Sequence, residues 1–196
     1  LTDMLHLKAI EIIGRSLRSA VAGDYAGREA MSLGQYIAGM GFSNVGLGIV
    51  HSMAHKTGAA FSGGHIIHGC ANAMYLGKVI QFNSRDERAK ARYAFIAKEI
   101  LHLEGNTEDE LVAALVQKIR DINDALNIPQ GIKNYGEGGT KSETSIIDEK
   151  EFFEKAPEVA HLAIEDACTL SNPRKPTQEE MEQLLKCVYF DLPVEF

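Results

Sequence analysis

Tryptophan is absent from this chain, aromatic residues make up only 7% of its 196 positions, and no run of Lys or Arg offsets a net charge of −7. A nucleic-acid partner wants a basic surface and, for single strands, stacking rings, so none is expected. No stretch approaches the ~18 consecutive apolar residues of a membrane span, and no signal peptide opens the sequence. Its three cysteines, Cys70, Cys168 and Cys187, are an odd number at wide spacings with no Cys-x-x-Cys. That excludes a disulfide framework or zinc ribbon and fits a reducing interior, so the chain is read as cytoplasmic. An initiator Met is lacking as well, while Leu1, Met4, Leu5, Ile12, Ile13 and Leu17 recur at helical spacing from the first residue. The chain is therefore expected to begin inside something larger.

What is present is ordinary globular composition, 45% hydrophobic and 24% charged, enough for one well-buried core or two small ones. Helical periodicity predicts a first helix over residues 3 to 22, stopped near Gly23, and a second from Asp24 and Tyr25 in which Gly34, Gly39 and Gly41 leave room for close packing. Asn44 to Lys56 is expected to form a central helix capped by Ser43 or Asn44, with Gly46 and Gly48 inside it at a cost of about 1 kcal/mol each. Cys70 to Phe82 is apolar on nearly every face, as a buried helix would be, and Asp86 to Leu103 is expected to form the next one. Thr107 with Glu110, and Thr177 with Glu180, have the spacing of capping boxes that open two further helices. Between them lie a Gly-rich loop from Ile128 to Gly139, a short turn from Asp148 to Phe153, and a helix from Pro157 to about Cys168. Gly136 to Thr140 lacks the spacing of a phosphate-binding loop. About seven helices and hardly any strand alternation predict an all-α, multi-helix bundle.

The chemistry is concentrated between Gly41 and Tyr75. Four of the seven histidines, His51, His55, His65 and His68, fall within eighteen residues there. On a helix, His51 and His55 at i and i+4 share one face and address one point, and the small residues from Gly58 to Gly64 turn the chain so that His65 and His68 come back toward them. Imidazole nitrogen suits zinc, iron, copper or nickel, and a metal that does chemistry keeps an open position. The alternative is a set of core histidines bonded to carbonyls, which four clustered imidazoles make less economical. Ser52 stands where the zinc-protease motif requires Glu, which argues against peptide hydrolysis.

Gly41-Phe42-Ser43-Asn44 through His51-Ser52-Met53-Ala54-His55, then His68-Gly69 with Asn72, resembles the signature of the iron-containing (group III) alcohol dehydrogenases. Asp166-Ala167-Cys168-Thr169 with Asn172-Pro173-Arg174 resembles that family's C-terminal pattern, so the resemblance extends over nearly the whole chain. It implies the helical C-terminal domain of a dehydroquinate synthase-like fold, with His51 and His68 as metal ligands, His55 as proton relay, and Phe42 and Cys168 near the substrate pocket. The family pattern has thirteen residues between the metal histidines and a Pro before the second. Here sixteen separate His51 from His68, Ile67 replaces the Pro, and thirteen separate His51 from His65. His68 is favoured because Gly69 and Asn72 follow it and Ser62-Gly63-Gly64 resembles a loop insertion; His65 remains the rival ligand.

The family also has an N-terminal α/β domain that binds NAD or NADP and an Asp-x-x-x-His pair that completes the metal site. The resemblance puts both before Leu1. It implies Fe²⁺, with Zn²⁺ as the alternative, alcohol and aldehyde substrates, a homo-oligomer, and an isolated chain that is catalytically incomplete. Two other readings stay open: a zinc-dependent polyol dehydrogenase of the same superfamily, and a non-catalytic helical interaction or dimerisation module.

Overall fold

A computed structural model describes residues 1–196 and shows eight α-helices, α1 (Thr2–Val21), α2 (Tyr25–Val45), α3 (Ile49–Thr57), α4 (His68–Asn83), α5 (Glu87–Phe95), α6 (Glu108–Ala125), α7 (Glu149–Glu165) and α8 (Gln178–Phe190). There is no sheet, only an isolated bridge between Tyr135 and Lys141. No helix is long and apolar enough to cross a membrane. The chain divides into two compact units, one formed by Leu1–Gly46 with Lys90–Leu115 and the other by Leu47–Ala89 with Val116–Phe196.

The first unit is built on the α1–α2 hairpin. Asp24 caps α2 by accepting from the Gly27 N–H at 2.7 Å, and the helix starts where the sequence pattern places it. Gly27, Gly34 and Gly41, seven residues apart, are where α1 comes closest: a Cβ at Gly34 would meet Ile12 and Ile13, and one at Gly41 would lie 2.6 Å from His6 Nε2. Gly39, also expected to serve close packing, has nothing within 4 Å of its added Cβ. The helix expected over Asp86 to Leu103 changes character part-way, because α5 runs into a π-helical turn at Ile96–Ile100 and ends at His102 with φ 53°.

The second unit has the main core, in which Ile49 and Met53 of α3, Tyr75 of α4, Phe152 of α7 and Leu184 and Val188 of α8 are all within 1% of full burial. Two predicted boundaries need correction. The central helix does not begin at Asn44: α2 continues to Val45, Gly46 ends it at φ 81°, and α3 starts after Gly48. Asn44 turns back to donate to the Met40 carbonyl, so it closes α2 instead of capping α3. The glycines stand in the break, and a Cβ on Gly48 would lie 2.9 Å from Asn172 Oδ1.

The second correction concerns Pro157, which lies inside α7 and not in its first turn. Asp148 caps the whole 17-residue helix by accepting from the Glu151 N–H. An internal proline costs about 3 kcal/mol. The burial of Val159, Ala160 and Ala163 beyond it offsets that cost and carries the helix through.

Both predicted capping motifs form at the N-cap side chain. Thr177 and Glu180 make the reciprocal pair in full. At α6 Thr107 Oγ1 accepts from Glu110 N–H, but the Glu110 carboxylate reaches the Asn106 N–H instead of Thr107.

An unpredicted feature is Lys78, on the buried face of α4 with its side chain 8% exposed. Its ammonium lies 2.7 Å from Asp191 Oδ1, and the same carboxylate takes a two-pronged contact from Arg120. Burial opposes ionisation of Asp191, but Arg120 and Lys78 outweigh it and hold its pKa below the ordinary value. Asp191→Ala strands the Lys78 charge in the core and is expected to cost about 3 kcal/mol in urea unfolding; a loss below about 0.5 kcal/mol would contradict that.

Candidate metal centre

α3 is nine residues long, and its apolar positions Ile49, Met53 and Ala54 are buried, which turns His51 and His55 to the opposite side together. The Gly58–Gly64 turn is tied down from α7. Glu151 accepts from the Ser62 N–H and hydroxyl, and Lys155, itself paired with Glu151, donates to the Ala60 carbonyl. Lys155 first, and then the Ser62 donors, pull the Glu151 carboxyl down to about 2. Beyond the turn, Tyr135 grips the chain as it enters α4. Its hydroxyl accepts from the Ile67 N–H at 2.8 Å and donates to the His65 carbonyl at 3.2 Å. His68 is thereby the first residue of α4.

Three imidazoles gather. Ring centroids are 5.3 Å apart for His51 and His68, 5.2 Å for His55 and His68, and 6.1 Å for His51 and His55. His65 takes another course, its Nδ1 lying 3.3 Å from the Gly58 carbonyl, which is the bond a structural histidine makes. Asn72, one turn along α4 from His68, places its side-chain amide 3.1 Å from His68 Nε2 and 3.4 Å from His51 Nε2. With the amide nitrogen turned toward both rings, its two protons match two Nε2 acceptors. The two Nε2 lone pairs thus point at one place. Asn72 Oδ1 is buried with no partner.

His55 faces Asp166, with Nδ1 3.2 Å from Oδ2, and Lys56 Nζ lies 3.0 Å from the same oxygen. Burial works against the Asp166 charge, but the Cys168 N–H and the Lys56, Cys168 and His55 side chains overcome it and keep this carboxyl far below the usual range. An ionised carboxylate only accepts, so His55 Nδ1 carries a proton directed at Asp166, and Nε2 is the ring nitrogen that Asp166 does not engage. Cys168 adjoins this pair, the donor atoms of His55, Asp166 and Cys168 all lying within 4.8 Å of one another. Burial and then Asp166 push the Cys168 thiol up, so it is a neutral thiol at neutral pH. Phe42 belongs to α2 of the first unit and is 39% exposed. Gly136 to Thr140 includes a 3₁₀ turn at Glu137–Gly139 and no helix start.

The residues fit a divalent metal in part. Two neutral imidazoles presenting Nε2 to one point suit a borderline cation such as Fe²⁺ or Zn²⁺, and two are half of a tetrahedral set. Burial first, and then the neighbouring His68 and His55 rings, lower the pKa of His51, which keeps its lone pair available.

The model of the Fe-containing alcohol dehydrogenase family C-terminal domain matches residues 1–189. The chain belongs to this family. It is 47% identical over 195 residues to an NADPH-dependent butanol dehydrogenase of Clostridium saccharobutylicum, covering all of this chain and 46% of that protein. It is 40% identical to the lactaldehyde reductase of Escherichia coli over 94% of this chain and 44% of the relative. The chain thus spans less than half the length of these relatives. Among solved structures, a 1,3-propanediol oxidoreductase superposes with a TM-score of 0.80 at 30% identity, covering 96% of this chain and 45% of that one. An iron-containing alcohol dehydrogenase from Thermococcus thioreducens gives the same TM-score at 29% identity, over 96% and 44%. The all-α fold is that of the C-terminal domain of these enzymes.

In the sequence Asp166 stands out only as part of a pattern, and Lys56, Tyr135 and Glu151 carry no signal of a role at the site. Their partners are 68 to 111 residues away in sequence. No local spacing announces such contacts.

The lowered pKa of His51 has a pH signature. Its folded value lies below the ordinary 6.5, so the unfolded chain binds the proton more readily. In chelator-treated protein, the stability due to neutral His51 is present above pH 6.5 and is lost as pH falls through the folded value. Urea unfolding at pH 7.5 and 5.5 is expected to show a larger acid loss for wild type than for His51→Gln; equal losses would contradict it.

Proposed function

We propose that the full-length protein is a metal-dependent, NAD(P)-linked dehydrogenase interconverting primary alcohols or diols and aldehydes, and that this chain supplies two metal ligands, His51 and His68. The observation that carries the ligand assignment is the convergence of their Nε2 atoms on the Asn72 amide, with His65 engaged elsewhere by Gly58. The substrate class is supported by family membership and by relatives named for butanol, lactaldehyde and 1,3-propanediol.

Bound Fe²⁺, or Zn²⁺ in its place, supplies Lewis-acid polarisation of the substrate oxygen, and a dinucleotide held by parts of the protein outside these residues supplies the hydride acceptor. His51 and His68 contribute neutral nitrogen donors, and the Asn72 amide faces both Nε2 atoms. His55 is the proton relay. Asp166 holds its Nδ1, so Nε2 takes the hydroxyl proton of the alcohol, and the half-exposed ring passes it to water. In aldehyde reduction the same group returns the proton. Cys168, a neutral thiol beside this pair, lines the substrate side.

In the full-length enzyme His51→Ala is expected to lower metal content and turnover together, each by at least about a hundredfold, while His65→Ala keeps both. Metal and activity surviving in the first and vanishing in the second would reverse the assignment. The 196-residue chain alone, holding two ligands, is expected to show a smaller Zn²⁺-induced rise in melting temperature than the full-length protein.

A further inference from the structure

The nine-residue α3 carries two of the three gathered imidazoles but is too short to be stable as an isolated helix. One segment of 3₁₀ helix, Ala167–Ser171, with its flanking residues Asp166 and Asn172, meets it at every third position in antiparallel order. Asn172 Oδ1 accepts from the Ile49 N–H at 3.3 Å, Thr169 Oγ1 contacts Ser52 Oγ at 2.7 Å, and Asp166 Oδ2 accepts from His55 Nδ1 at 3.2 Å. Positions rise by three along α3 as they fall by three along the turn. The match has a geometric cause: a 3₁₀ helix eclipses i and i+3, and an α-helix keeps i and i+3 on one face.

Two rungs are buried, Asn172 with Ile49 at 6% and 0% exposure and Thr169 with Ser52 at 4% and 0%, while the His55 rung is open to solvent. The direction of the Thr169 rung follows from counting protons. Thr169 gives its one hydroxyl proton to the Ala163 carbonyl at 2.6 Å, so Ser52 must donate to Thr169, its only other acceptor being the Gly48 carbonyl at 3.5 Å. Thr169 therefore ties α3 to the last turns of α7 through a single oxygen.

We propose that Thr169 is a positioning residue of the site, setting through Ser52 the rotation of α3 about its axis and hence where the imidazoles of His51 and His55 point. Imidazole tips stand about 5–6 Å from a helix axis, so a rotation of roughly 10° moves them by about 1 Å. A displacement of about 1 Å at a reacting group can cost on the order of a hundredfold in rate. Of the two buried rungs, the Asn172 one takes a backbone N–H close to the helix axis, and the Thr169 one grips α3 through the Ser52 side chain, away from the axis. The kinetic arm of this inference rests on the dehydrogenase reading; the spectroscopic arm does not.

The test compares Thr169→Val, which is nearly isosteric, with Thr169→Ser, which keeps the hydroxyl, in the full-length protein. Val159→Ala on α7 serves as a core-destabilised control away from the ladder. Melting temperature, kcat, the dinucleotide KM and the ¹⁵N imidazole spectrum are read for each. Thr169→Val is expected to lower kcat by about ten- to a hundredfold, to leave the dinucleotide KM within about twofold, and to shift the ring resonances of His51 and His55. Thr169→Ser restores both readouts, and Val159→Ala at a comparable loss of melting temperature changes neither. If Thr169→Val alters rate and ring resonances no more than the control does, the proposal is overturned. If the wild type shows no metal-dependent dehydrogenase activity, the functional reading falls and the ring resonances alone decide the positioning claim. Should Thr169→Val not fold, Ser52→Ala opens the same rung from its other side and is judged against the same control.

Discussion

A helix of nine residues cannot hold itself together in water, and the arrangement of this site depends on how α3 is held by its surroundings. Ile49, Met53 and Ala54 sink into the core of the second unit, and Thr57 closes the last turn by donating to the Met53 carbonyl while Tyr75 donates to Thr57. Asn172 occupies the space that Gly48 leaves and takes the first free N–H of the helix. With the inward face fixed, the i and i+4 spacing leaves His51 and His55 no choice but to share the outer one. The same burial that stabilises the fold therefore sets the direction of the chemistry.

Proton placement follows from the partners. Asp166 is kept ionised by the N–H of Cys168 and by Lys56 against the opposing effect of burial, and an anion of that kind fixes the His55 proton on Nδ1. Asn72, with two protons to give, matches the Nε2 acceptors of His51 and His68. Three histidines within 6.1 Å of one another would repel if all were charged. Burial and the two neighbouring rings lower the pKa of His51, so it is the ring most readily kept neutral, while His55 lies against the Asp166 carboxylate. The proposed metal-assisted proton transfer draws on that arrangement.

Most of the helices were legible in the sequence because their signals are local. Thr177 caps where its spacing with Glu180 predicts, α2 starts where Asp24 and Tyr25 place it, and the apolar positions Met181, Leu184, Leu185 and Val188 of α8 are buried. The failures lie where a distant partner overrides a local rule. Local periodicity puts Gly46 and Gly48 inside a helix, since the reason for the break, Asn172, is 123 residues from Ile49. A proline at this position signals a helix start, whereas the packing of Val159 and Ala160 carries α7 through Pro157. Lys78 in the apolar α4 is tolerable only with Asp191, 113 positions on. The cluster of four histidines is legible as spacing, and Gly69 and Asn72 favour His68 over His65; the contacts of His65 with the Gly58 carbonyl and of His68 with the Asn72 amide lie beyond what spacing shows. The π-helical turn at Ile96–Ile100 had no sequence signal that we can identify.

Family membership and the convergent imidazoles bear on the same point from independent directions, one from the whole sequence and the other from a few atoms. The most direct test of that agreement is anomalous diffraction from crystals of the full-length protein loaded with Fe²⁺ or Zn²⁺. The account predicts one peak at about 2.0–2.2 Å from both His51 Nε2 and His68 Nε2, with His65 still on the Gly58 carbonyl. A peak bonded to His65 in place of His68, or none at this cluster, would contradict it.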